Sequence, residues 1–111
     1  MIVVTSQAIE GHRIVEYRGI VRGLVVRSPT IVQGFLGGLK GIIGGNIGSY
    51  TDMCETTRQQ AYEFMVEHAT QVGANAVISM RYDASDVGVP RAGATEVLCY
   101  GTAVVIAEAS T

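Results

Sequence analysis

The sequence predicts an α+β domain, an antiparallel-rich sheet packed on helices in the order β-β-α-α-β-β. Three observations carry that prediction. Runs rich in Val, Ile and Tyr stand near both ends of the chain, a helical spacing of apolar residues leads up to Val72, and no repeat or linker interrupts the 111 residues. That length suits one domain, 1–111, and buries roughly two-thirds of the surface an unfolded chain exposes.

Ile2-Val3-Val4 reads as a first short strand, followed by a turn from Gln7 to Gly11. Arg13 to Arg27 is the longest strand. Its odd positions Val15, Tyr17, Gly19, Val21, Gly23 and Val25 are apolar or small. Its even positions mix Ile14, Ile20, Leu24 and Val26 with Glu16, Arg18 and Arg22. One face is therefore core and the other partly polar, as in a sheet covered on one side and contacted by a partner on the other. Gly19 and Gly23 mark a bulge or a close backbone approach.

Pro29 ends the strand and, with Ser28 as cap, opens a first helix through Ile31 to Ile47. Seven of the 14 glycines lie between Gly34 and Gly48. Each interior glycine costs about 1 kcal/mol relative to alanine, so this helix needs tertiary or quaternary packing to form. A second helix is capped by Ser49 or Thr51, has Asp52 and Glu55 near its positive end, and runs to about Val72. Cys54, Thr57, Ala61, Phe64, Met65, His68, Ala69 and Val72 form its buried stripe, and Gly73 its C-terminal cap. Asn75 to Asp83 is the next strand, Ser85 to Gly93 a loop, and Thr95 to Ala107 the last strand.

Charged residues make up only 16% of the chain, against a usual share of about a quarter. Much of the surface must be neutral or hidden, and contacts between copies are the usual way to hide it. The net charge of −2 and the dilution of Arg13, Arg18, Arg22 and Arg27 by Glu10 and Glu16 argue against a nucleic-acid partner. Cys54 and Cys99 belong to no CxxC pair, and the N-terminus has no basic leader. The expectation is a cytoplasmic protein with free thiols.

Several of these residues together resemble a known family. They are Ile9-Glu10-Gly11, Ile14-Val15-Glu16-Tyr17 and Gly23, then Gly44-Gly45 with Gly48 and Tyr50, then Arg58 and Ala61. Gly73-Ala74-Asn75-Ala76-Val77, Tyr82-Asp83 and Gly101-Thr102-Ala103-Val104 complete the set. In that order they resemble the bacterial YbjQ-like proteins, an uncharacterised family whose domain is named for heavy-metal binding. The resemblance covers nearly the whole chain and implies a dodecin-related, ring-forming subunit, a homopentamer. Between Arg27 and Lys40 the chain departs from the charged and aromatic residues usual in the family.

The candidate metal ligands are His12, Cys54, His68 and Cys99, which would suit a divalent or soft metal ion. Cys54 and His68 are fourteen residues apart on one helix, about 21 Å along its axis, and cannot chelate one ion within a subunit. No pair has CxxC, HxxxH or CxxH spacing. The structural alternative buries both cysteines as small hydrophobes and packs His68 on the apolar stripe. A symmetric ring would still bring five copies of one side chain together.

Glu16, Tyr50, Arg58 and Asp83 form a polar set that reads either as a ligand site or as a structural ion-pair network at a helix–sheet or subunit boundary. An enzyme centred on Glu16, Arg58 and Asp83 is the weaker alternative. Gly45, Gly48 and Ser49 precede a helix N-terminus, where anions meet backbone N–H groups, but the loop lacks the lysine of a phosphate-binding P-loop. The apolar run Ile31 to Ile47 is broken by Gln33 and Lys40 and too short to span a bilayer, so membrane contact is not expected. No nucleophile signature is present, and no catalytic residue is assigned. The expectation is a non-enzymatic homo-oligomer that binds a small ligand or metal ion at subunit boundaries, or, as the alternative, a soft heavy-metal binder using Cys and His side chains.

Overall fold

The computed structural model describes residues 1–27, 47–86 and 94–109. The first predicted helix and most of the predicted loop before Thr95 lie outside the described residues. Strands β1 (Ile2–Val3), β2 (His12–Arg27), β3 (Ala76–Asp86) and β4 (Thr95–Glu108) form one four-stranded sheet in the order β1-β3-β4-β2. β1 pairs parallel with β3, and the other two pairings are antiparallel. Ser85 and Asp86, expected in a loop, continue β3 opposite Glu96 and Thr95.

Helix α1 (Ile47–Gln71) crosses one face of this sheet. It begins earlier than expected, so Ser49 and Thr51 lie inside it rather than capping it. Asp52 and Glu55 accordingly fall beyond the first turn, which contains no acidic residue. Its far end closes as expected: Gly73 takes φ 82°, and Ala74 N–H reaches back to the Ala69 carbonyl at 3.0 Å.

The helix buries Thr57, Ala61, Met65 and Ala69, one residue per turn, against Val21, Val25, Val77, Val97, Cys99 and Ala103 of the sheet. Four expected members of that stripe fall outside this buried four-residue row: His68 is half-buried, and Val72 packs against the core while only partly buried. Cys54 is exposed, and Phe64 is 50% exposed. Gly23 explains how closely the helix lies on β2. A Cβ there would fall on the Ala61 carbonyl oxygen and come within 2.5 Å of Met65 N.

Irregularities in β2 reset which side chains face the helix. Register shifts between Ile14 and Glu16 and between Tyr17 and Gly19 each insert one residue, and Gly19 takes φ 95°. From Val21 to Val25 the odd positions face the helix. Tyr17, opposite Val104, falls on the other face and is 67% exposed. A third bulge between Ile78 and Arg81 places Ser79 at φ 55°. There the N-terminal segment docks, with Ser79 and Met80 N–H groups donating to the Ser6 and Val4 carbonyls at 2.9 and 3.0 Å. Val4 and Ile9 thereby cover a second small core of Ala76, Ile78, Val104 and Ile106 at one end of the sheet's outer face.

Candidate functional site

Pleating decides which of the predicted polar residues meet. Glu16 stands opposite Val105 and Asp83 opposite Leu98, so about 23 Å of β4 separates them at roughly 3.3 Å per residue. Glu16 instead pairs with Arg18 at 3.1 Å on the surface. Asp83 accepts a hydrogen bond from the Ala84 N–H at 2.9 Å. Its neighbour Tyr82 sits opposite Cys99 on the helix side, and the Arg58 guanidinium lies 5.6 Å from the Tyr82 ring centroid. Alternation therefore gives Arg58 to Tyr82 and turns Asp83 to the other face. One subunit does not unite Glu16, Arg58 and Asp83. Tyr50 lies in the first turn of α1.

The thiols and imidazoles are likewise dispersed. His12 opens β2, with Nδ1 3.1 Å from the Glu10 carbonyl. His68, expected on the apolar stripe, instead accepts the Arg22 N–H at Nδ1 across 3.1 Å and so ties the helix to β2. Cys99 is fully buried, with its sulfur 3.6 Å from the Met65 sulfur. Burial pushes the Cys99 thiol up to about 11, against an opposing hydrogen bond from Tyr82. Burial is also the main cause of a raised Tyr82 pKa, with Cys99, Tyr62 and Glu55 adding to it and Arg58 opposing. Among the described residues, no three His, Cys, Asp or Glu side chains cluster as metal ligands.

Gly48 and Ser49, read as part of a loop before the helix, belong to its first turn. Gly45 lies outside the described residues.

What the fold does assemble is a crevice of about 250 Å³ between the first half of α1 and the sheet. The helix contributes Met53, Cys54, Thr57 and Arg58, which its period sets on one side. Arg27 enters from β2, while Ala84 and Val97 floor it from β3 and β4. Arg27 donates to the Gln60 side-chain carbonyl, and Thr57 Oγ1 donates to the Met53 carbonyl at 2.9 Å. The Cys54–Thr57–Arg58 spacing signals this site in the sequence. Arg27 and the floor residues come from distant strands and are visible only in the fold.

Comparisons with known proteins agree on the kind of chain this is. A family model described as "Putative heavy-metal-binding" matches residues 1–107. A UPF0145 protein of Legionella pneumophila is 57% identical over 106 residues, spanning 96% of this chain and 98% of the relative. A UPF0145 protein of Francisella philomiragia is 51% identical over 106 residues, spanning 96% and 99%. The fold is also that of a crystal structure from Pediococcus pentosaceus, a DUF74-family protein of unknown function. It aligns with a TM-score of 0.64 at 18% identity, over 96% of this chain and 98% of the other. With the match spanning nearly all of its length, the chain belongs to the YbjQ (UPF0145) family.

Proposed function

We propose that this chain is a non-enzymatic subunit of a homo-oligomer, a ring of five, that binds a small ligand or a metal ion beside its subunit boundaries. The observation that carries this reading is the uncovered part of the sheet's outer face. Ile20, Leu24 and Val26 are 76%, 47% and 42% exposed there. Leu98 and Tyr100 of β4 stand directly opposite Leu24 and Arg22, so the apolar residues form one patch across two strands. Contiguous apolar surface of this kind on a small protein marks a contact with another protein. The scarcity of charge in the chain points the same way, and a second copy is the occupant that is always at hand. The number five rests on the family resemblance.

Native mass spectrometry on tag-free protein tests the assembly. The expected result is a closed oligomer that Ile20→Asp together with Leu24→Asp converts to monomer, with an unchanged circular-dichroism spectrum. A wild-type monomer at micromolar concentration overturns the ring. A soft-metal reading gains support from one observation, the exposed Cys54 thiol beside the Met53 thioether in the crevice. On that reading the same spectra show a fixed excess mass that chelator removes and Cys54→Ser lacks. Oligomer at the bare polypeptide mass removes the metal and leaves the assembly.

A further inference from the structure

We infer that the crevice beneath α1 binds a small organic anion, with Arg27 and Arg58 holding its acid group and Met53, Ala84 and Val97 receiving its apolar body. This deepens the ligand half of the function proposed above. At about 250 Å³ the crevice lies near the small end of ligand pockets, which run from about 300 Å³ upward, so the ligand is small.

Charge decides its sign. The chain carries ten carboxylate side chains and eight basic ones, yet among the described residues two guanidiniums and no carboxylate line this crevice. Glu55 and Glu63 line a second groove along the same helix, although Glu55 stands near enough to Tyr82 to help raise its pKa.

Arg58 is built for the task. Its guanidinium lies against the Tyr82 ring at 5.6 Å, and among the described residues it has no hydrogen bond or ion pair. Contact with an aromatic ring steadies a guanidinium while leaving its N–H edge available for two parallel bonds to a carboxylate or phosphate. Arg27 is held by the Gln60 side chain. The apolar floor excludes water from one side of the site, which strengthens such bonds. Carboxylate and phosphate share this recognition chemistry.

Cys54 reports on the site directly, since it is exposed on the crevice wall while Cys99 is buried and serves as a silent thiol. Alkylation of Cys54 by iodoacetamide is followed at constant ionic strength with benzoate, phenyl phosphate or neutral benzamide present. Saturable slowing by benzoate or phenyl phosphate, with none by benzamide, is the expected result. The benzoate and phenyl phosphate arms separate the two acid groups. Arg58→Gln, with its fold checked by circular dichroism, raises the half-protecting concentration about tenfold, the loss of one charge-assisted contact. No saturable protection by either anion, or equal protection by benzamide, overturns the proposal. Mass measurement of the same samples keeps the two readings apart. A monomer that still protects Cys54 sinks the ring and keeps the site, and an oligomer without protection does the reverse.

Discussion

The two faces of the sheet come from the same alternating strands but are finished in opposite ways. Toward α1, small residues dominate the closest contact: Gly23, Ala61, Ala69, Cys99 and Ala103 let helix and sheet approach until these residues are buried. Away from α1, larger residues such as Ile20, Leu24 and Tyr100 stand exposed, and among the described residues the cover is at one end, by Val4 and Ile9. The inner face is finished within the chain. The outer face has the composition of a core, and the described residues supply no second layer over its exposed part, which is how a surface awaiting a partner differs from one that is merely apolar.

Substitutions separate the two faces, beginning with the closest contact. Gly23→Ala drives a methyl group into the Ala61 carbonyl and the Met65 amide, both backbone atoms that cannot swing away. The expected loss is about 3 kcal/mol in urea unfolding, the upper end for overpacking. A loss under 0.5 kcal/mol would mean the helix does not rest on β2 as described.

A middle-sized effect follows from Cys99. Its folded pKa, about 11, lies above the ordinary 9.0. The unfolded chain therefore loses this proton first, so the stabilisation is complete below pH 9 and disappears as pH rises toward 11. Urea midpoints measured between pH 8 and 11 should fall less in Cys99→Ala than in wild type. Tyr82, also raised, leaves a residual slope in the variant. Equal slopes would place Cys99 in contact with water.

The smallest effect belongs to the outer face. In a Leu24→Asp background checked as monomeric by native mass spectrometry, Ile20→Ala changes unfolding free energy by less than about 0.5 kcal/mol, because the side chain is mostly solvated already. A larger loss would show that the chain itself covers that patch.

Much of this was legible in the sequence. The strand positions followed from β-branched runs, and the helix from its period and from Gly73. The close approach at Gly23 and the bulge at Gly19 were both readable as glycines within a strand. Side-chain direction in β2 was less so: an unbroken alternation puts Val15 and Tyr17 beside Val21, whereas two inserted residues shift them out of that row. Nothing local marks an insertion at Val15, which has no glycine. The candidate site was legible only in its helical part, Cys54, Thr57 and Arg58. Within one subunit Arg58 does not meet Glu16 or Asp83, which was not legible because residue types alone carry neither strand register nor the parity that separates Tyr82 from Asp83.

The docking of residues 4–9 has a practical side. These residues bond to the bulge at Ser79–Met80 and lie over Ala76, Ile78, Val104 and Ile106. The N-terminus is thus a built-in shield that determines how much greasy surface the molecule shows. Trimming it would lengthen the bare patch along the whole sheet and convert a bounded contact into an unbounded one. A preparation that begins a few residues late would then report stickiness of its own making, and a fusion joined at Met1 would crowd the same edge.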